Sequence, residues 1–234
     1  MGTVTHYDIR PVNEDYMVLD LPLREATGSR TSDVAKPHHP VTLIGAPTWT
    51  QLASLLGVLE MDGTTQYGQC LGASCVDLNF MSGDYSIGGW FNWTVNEFSQ
   101  IIIARYELSV SGWEVYTTQA GALNYLTLRH HHAGGATTRT GAYSIGWTPG
   151  TPWFFGISRS GASAQFYRNG LPVETTSDVL IDPETCAEDL LLGVRYTKNA
   201  NFLLGYLYRP RVWSRAMSAA EWLRVHDREA GWFP

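Results

Sequence analysis

Residues 202–221 read FLLGYLYRPRVWSRAMSAAE, an aromatic-rich strand that runs straight into a helix start. Phe202, Leu204, Tyr206 and Val212 share one parity, so alternation puts them on one face of a strand. Arg209 and Arg211 take the other parity and are expected to reach water. Pro210 has no N–H to give a ladder, which predicts an edge or a bulge there. Ser218 is placed as an N-cap, with Glu221 three residues on to complete a capping box. Met217 and Trp222 stand at the two positions of a hydrophobic staple, and Trp222, Val225 and His226 fall on one helical face. The helix is expected to fray near Gly231.

Upstream, FYRNGLPVE at 166–174 predicts a hairpin, because Asn169 and Gly170 both tolerate the positive φ of a type I′ turn. In 153–159, Trp153, Phe155 and Ile157 share a face, with Gly156 and Ser158 on the other. Further strands are predicted at 17–23, 57–61, 85–93, 101–110, 113–119, 122–130, 141–147, 164–168 and 190–196. The polar stretch 24–40, with two prolines, reads as a surface loop. The pattern is that of an all-β sandwich with one short C-terminal helix. No linker interrupts it, so the expected organisation is an N-terminal arm, 1–16, followed by one domain, 17–234.

The 234 residues are 44% hydrophobic and 12% aromatic, enough for a sizeable core. Nine Trp and twelve Tyr are many for this length, and some should reach the surface, where flat rings meet sugars or partner proteins. A net charge of −6 argues against a nucleic-acid surface. The three cysteines, Cys70, Cys75 and Cys186, exclude a dense disulfide framework. Cys70 and Cys75 are close enough for a local bridge, and three reduced, buried thiols are the other reading. The N-terminal stretch has no apolar signal-peptide core, and no run approaches a membrane span. The expectation is therefore synthesis in the cytosol.

The residues resemble a laminin G-like domain of the concanavalin A-like superfamily across roughly 17–229. The resemblance runs through Leu21-Pro22-Leu23, then Leu59-Glu60-Met61-Asp62-Gly63 with Tyr67, then Asp84-Tyr85-Ser86-Ile87-Gly88-Gly89-Trp90. It continues through Tyr106-Glu107-Leu108, Trp153-Phe154-Phe155, Tyr167-Arg168-Asn169-Gly170, and Gly205 to Glu221. It implies a jelly-roll β-sandwich, a fold used mostly for binding and assembly. Many relatives carry an acidic residue three positions after the glycine that Gly205 matches. Here that position is Tyr208, followed by Arg209 and Pro210, which lowers the expectation of a family-type calcium site.

Candidate ligand-binding residues are the aromatics Trp113, Tyr116, Trp147 and Trp232, near predicted strand ends or a terminus, and the same-face pair His130 and His132. Two imidazoles on one face could ligate a transition metal, with His38 or His39 as a third ligand. A solvated strand end is the plainer reading. No cofactor is expected. Weak calcium candidates are Asp178, Asp182 and Glu184, in an acidic stretch that also reads as a solvated loop. No Glu-x-Asp-x-Glu strand or Gly-x-Ser-x-Gly elbow is present, and the adjacent pairs Glu14-Asp15 and Glu188-Asp189 would face opposite ways on a strand. The chain is therefore expected not to be an enzyme.

The function expected is non-catalytic binding and assembly, as a virion-surface component such as a bacteriophage capsid decoration or tail-associated protein. His6, Tyr7, Ile9, Arg10 and Tyr16 are the candidate docking residues of the arm. The partners would be capsid or tail proteins or further copies of the chain. The alternative is a carbohydrate-binding lectin-like module meeting surface glycans, and a glycoside-active enzyme comes third. Location at a virion surface follows from the first reading. The alternative is extracellular, by export without a signal peptide.

Overall fold

A computed structural model of the chain describes residues 16–94, 99–120, 122–141 and 146–233. In chain order the strands are β1 (Met17–Asp20), β2 (Arg30–Ser32), β3 (Pro40–Ile44), β4 (Thr48–Gln51), β5 (Gly57–Asp62), β6 (Tyr67–Cys70), β7 (Tyr85–Trp93) and β8 (Gln100–Glu107). They continue with β9 (Ser111–Ala120), β10 (Leu123–His132), β11 (Gly135–Gly141), β12 (Trp153–Ser160), β13 (Ser163–Arg168), β14 (Leu171–Pro172), β15 (Leu190–Leu192) and β16 (Leu204–Trp213). One α-helix among the described residues, α1 (Ala219–Glu229), follows.

The strands form two eight-stranded sheets. One runs β14-β13-β12-β7-β16-β5-β4, with β1 added beside β16, and the other runs β11-β10-β9-β8-β15-β6-β3-β2. The neighbours at the centre of each sheet, such as β7 with β12 and β9 with β10, pair antiparallel. This is the jelly-roll sandwich. The inward faces meet in one core: Ile87, Phe91, Phe155, Ile157, Leu207 and Val212 from the first sheet lie against Ile103, Val115, Leu126, Leu128 and Leu192 from the second. As the alternation in 153–159 predicts, Phe155 and Ile157 enter this core, while Gly156 and Ser158 face away from it, toward α1.

The outer face of the first sheet carries a second apolar cluster, in which Trp90, Phe154, Tyr208 and Trp213 pack with Met217, Trp222 and Val225. Gly88 and Gly156 are directly opposed across β7 and β12. A Cβ on either would lie 2.5 or 2.6 Å from the Trp222 ring, so only glycine leaves room for it. Trp222 Nε1 donates to Ser158 Oγ at 2.8 Å, which satisfies the indole inside the cluster. Ser218 and Glu221 form the predicted capping box, and Asn169 and Gly170 turn β13 into β14 with φ of 50° and 76°.

The Pro210 segment is a bulge. β16 pairs with β5 through Leu204–Leu207, its register against β7 shifts between Tyr208 and Arg211, and β1 then takes Arg211, Val212 and Trp213. This overturns the single parity expected for β16. Tyr206 packs on the outer cluster and Val212 in the inner core, because the extra residues switch the facing. Arg211 does not reach water: it is buried, with a carboxylate partner supplied by α1. The stretch 24–40 is not only loop, since β2 lies within it and β3 starts at its end. Of the strand expected at 141–147, Gly141 is the last residue of β11, Gly146 and Trp147 are not in a strand, and residues 142–145 lie outside the described residues.

Candidate functional site

Beside the bulge, β1, the segment after β2, the C-terminal half of β16 and the last turns of α1 enclose a cleft of about 370 Å³. Its walls include Asp20, Lys36, Arg209, Arg211, Glu229 and Trp232. The bulge turns Arg209 inward at φ 48°. Arg209 Nε and Nη2 donate to the two oxygens of Asp20 at 2.9 and 2.8 Å, a bidentate pair, and its Nη1 reaches Glu229 Oε1 at 3.3 Å. Glu229 Oε2 accepts from Arg211 Nη2 at 2.8 Å and from Trp90 Nε1 at 2.9 Å. Burial would lower the Arg209 pKa, but Asp20 and Glu229 outweigh it and hold the guanidinium charged. Burial raises the pKa of the neighbouring Tyr208 phenol, which stays neutral.

Trp232 is 37% exposed, and its ring stands edge-to-face with Tyr208 at a centroid distance of 5.9 Å. The cleft thus has an open indole, an arginine whose side chain is 29% exposed, and two carboxylates already engaged.

The wall formed by Val34, Ala35 and Lys36 is fastened from behind. Asp33 Oδ1 accepts from the N–H groups of Asp20 and Ala35, at 2.8 and 2.9 Å. Its Oδ2 bonds His39 Nδ1 at 2.7 Å, and His39 Nε2 bonds Asp77 Oδ1 at 2.8 Å. Burial would lower the His39 pKa. The hydrogen bonds and charges of Asp33 and Asp77 win, and raise it to about 9. A second hollow, about 490 Å³, lies over β2, β3 and His38–His39, with no Trp, Tyr or Phe in its walls among the described residues.

Of the aromatics singled out from sequence, Trp232 alone stands open at a cleft; the others are corrected to buried positions. Trp113 points into the core, where its Nε1 donates to Leu78 O at 2.9 Å. Trp147 is buried, with Nε1 donating to Gly141 O at 3.1 Å and its ring edge-on to Trp153. Tyr116 is on the outer face of the second sheet, but the Arg129 guanidinium lies 4.6 Å over its ring and covers it. Each ring is closed off by a partner beyond its own strand, Leu78 for Trp113, Arg129 for Tyr116 and Gly141 with Phe91 for Trp147, so strand position alone could not show it.

His130 and His132 do not form a metal pair. His130 is buried between the Tyr85 hydroxyl (2.6 Å to Nε2) and Ile181 O (2.9 Å to Nδ1), so both ring nitrogens are engaged. Burial pushes its pKa down to about 4 and keeps it neutral. His132 sits half-buried at the end of β10 beside Gly135. His131, on the opposite face, bonds Glu114 at 3.1 Å. His38 and His39 belong to the Asp33 fastening, away from β10. Asp182 pairs with buried Arg159, while Asp178 and Glu184 are exposed. Among the described residues no three His, Cys, Asp or Glu side chains gather as a metal site.

Of the arm, His6, Tyr7, Ile9 and Arg10 lie outside the described residues. Tyr16 is half-exposed, its carbonyl accepts from Ser214 N at 2.8 Å, and the Arg215 guanidinium stands 5.6 Å from its ring centre. All three cysteines are free and buried.

The sequence reading missed Asp20, Arg209, Arg211 and Glu229 as a group. The available signal was the departure at Tyr208-Arg209-Pro210, which marks the bulge that gathers them.

No curated protein matches this sequence. Among solved structures, the chain is similar to the binding domain of botulinum neurotoxin serotype D, with a TM-score of 0.69, 12% identity, and coverage of 92% of this chain and 52% of that one. It is similar to the botulinum neurotoxin DC binding domain in complex with SialylT, with TM-score 0.68, 14% identity, and 92% and 52% coverage. It is also similar to a botulinum neurotoxin type C structure, from work in which cell entry depends on interaction with two ganglioside molecules, with TM-score 0.64, 13% identity, and 92% and 51% coverage. The chain spans about half the length of these structures, and at such identities the likeness is one of fold. A laminin G-type family model, described as Concanavalin A-like lectin/glucanases superfamily, matches residues 62–221, well over half of the chain. The chain belongs to the concanavalin A-like lectin/glucanase superfamily.

Proposed function

We propose that this domain is a lectin-like, non-catalytic carbohydrate-binding module and that the Trp232 cleft is its sugar seat. The observation that carries the reading is an open indole beside charged hydrogen-bonding groups in a concave site. A flat ring packs against the apolar face of a sugar while polar neighbours take its hydroxyls. Structures of similar fold, one in complex with SialylT and one tied to two ganglioside molecules, support the same direction.

The state of the cleft carboxylates supports binding without hydrolysis. Glycoside cleavage needs one carboxyl group that can hold and give a proton. Here both oxygens of Asp20 and both of Glu229 accept from arginine, so neither carboxyl group stands free to face a glycosidic bond.

The test is a glycan array probed with the chain and with its Trp232→Ala variant. The reading requires a glycan that the chain retains and the variant loses. If no glycan is retained, or the variant retains the same set, the cleft is not a sugar seat.

The second part of the reading is a place on a virion surface, as a capsid decoration or tail-associated protein held by residues 1–16. It is supported by the anchoring of Tyr16 against Ser214 and Arg215. Light scattering with and without residues 1–16 tests it. A multimer that falls to monomer on truncation supports an assembly arm, and a monomer in both cases removes that support.

A further inference from the structure

Two of the three cysteines meet at one turn. Cys70 ends β6, and Cys75 lies between two single 3-10 turns, Gly72–Ser74 and Val76–Leu78. Cys75 Sγ lies 3.4 Å from Leu71 O, 3.7 Å from Gly72 O and 3.9 Å from Cys70 O, and the two thiols are hydrogen-bonded to each other. Both are free and buried, yet Leu71, Ala73, Ser74, Val76 and Asp77 around them are exposed, so the pair lies just beneath a surface turn. Short 3-10 turns are held by few bonds and open locally, which gives a small reagent a way in. The Cys186 thiol makes no hydrogen bond among the described residues.

A second observation is the cation beside them. Among the described residues three arginines are buried, Arg105, Arg159 and Arg211. Arg159 pairs with Asp182, and Arg211 with Glu229. Arg105 donates to Asn79 Oδ1 and, at 3.2 Å, to Gly72 O, both neutral, and no carboxylate among the described residues pairs with it. A buried charge without a counter-ion is costly. Gly72 O touches both the Arg105 guanidinium and Cys75 Sγ, which puts the Cys75 thiol where the missing anion would stand. The hydrogen bond from Cys70 and the Arg105 charge outweigh burial and lower the Cys75 pKa. Cys70 moves the other way, because its bond to Cys75, its burial and the Asp189 charge raise its pKa. That asymmetry suits pair chemistry, in which one sulfur attacks as thiolate and its neighbour keeps its proton.

We propose that Cys75 and Cys70 are a hydroperoxide-reactive pair, with Cys75 the attacking sulfur and Cys70 the resolving one. The Cys75 thiolate attacks a peroxide oxygen: an S–O bond forms, the O–O bond breaks, and the departing hydroxide or alkoxide takes up the proton that the thiol released. The sulfur is oxidised, and the peroxide reduced, by one electron pair. The Cys70 sulfur then attacks the Cys75 sulfenic acid: the S–S bond forms, the S–O bond breaks, and water leaves with the Cys70 proton. A dithiol reductant returns both thiols by exchange and is itself oxidised to its disulfide.

The experiment takes the full chain, reduced and then freed of reductant, and treats it with hydrogen peroxide. Free thiols are counted in denaturant, and a non-reducing digest is read by mass spectrometry. The expected product links Cys70 to Cys75, leaves Cys186 as its free thiol, and returns to the starting form with dithiothreitol. Below about pH 8 the rate should depend on pH less steeply than that of free cysteine run in parallel, whose thiolate fraction rises about tenfold per unit. In Cys70→Ser, dimedone, a trap for sulfenic acids, should mark Cys75. In Cys75→Ser, the same peroxide should leave the Cys70 thiol intact. The main readout uses the unaltered chain, so it stands even where a variant fails to fold. The proposal is overturned if all three thiols survive peroxide that oxidises free cysteine, if the link includes Cys186, or if Cys75 gains oxygen and no bridge to Cys70 forms.

Discussion

Trp222, on α1, and Trp232, in the short 3-10 turn that follows it, lie ten residues apart, and the molecule treats them in opposite ways. Trp222 is fully buried over a floor made by two opposed glycines, with its indole N–H taken by Ser158. Trp232 leans on the edge of Tyr208 and leaves more than a third of its surface open. What differs is the opposite wall. A sheet that gives up two side chains makes a seat for a ring, whereas a bulge that brings in arginines and carboxylates makes a cleft. One tryptophan should therefore govern stability and the other binding.

Trp222→Ala tests this contrast with the largest effect. It should cost about 3–5 kcal/mol in denaturant unfolding, because the glycine floor cannot collapse into the hole. A cost near zero would mean that the helix is held by something other than its ring. Gly156→Val attacks the same seat from below and should cost about 1–3 kcal/mol through overpacking against Trp222. Ser218→Ala removes the helix cap and should cost about 1 kcal/mol, readable as a small fall in Tm. Trp232→Ala should move stability by no more than about 0.5 kcal/mol, as an exposed substitution. Its effect belongs in glycan binding, as a loss of about tenfold or more. A Trp232 variant that unfolds the chain, or a Trp222 variant that spares it, would erase the distinction.

Trp222 and its cap were legible in the sequence because their signals are local: Ser218, Glu221 and Met217 lie within five residues of Trp222. The hairpin at Asn169-Gly170 and the facing of Phe155 and Ile157 were legible for the same reason. The burial of Trp113, Tyr116 and Trp147 was not, since Leu78, Arg129 and Gly141 close them off through strand pairing and loop return. Arg211 reads as solvent-facing by parity. Its burial depends on Glu229, eighteen residues further on and across a helix. Proline at 210 announced an edge or a bulge, but not that a bulge there would gather a charged site. β2, at the edge of its sheet, and β3 beside it are short, three and five residues, with little room for a periodic signal.

The Asp33–His39–Asp77 bridge gives the cleft wall a titration of its own. The unfolded imidazole has a pKa near its ordinary 6.5 and the folded one is raised to about 9. Its contribution to stability is therefore complete below about pH 6.5 and is lost as pH rises through about 9. His130 leans the other way. Its folded pKa is lowered to about 4, so its contribution is present above about 6.5 and disappears as pH falls through about 4. One contribution is lost to alkali and the other to acid, and together they centre the stability of the sandwich near neutrality. The alkaline limb acts on Val34–Lys36, so sugar affinity should fall above about pH 9 before the main core yields. The wall beside the sugar seat is in this sense a proton-operated latch, open on the alkaline side.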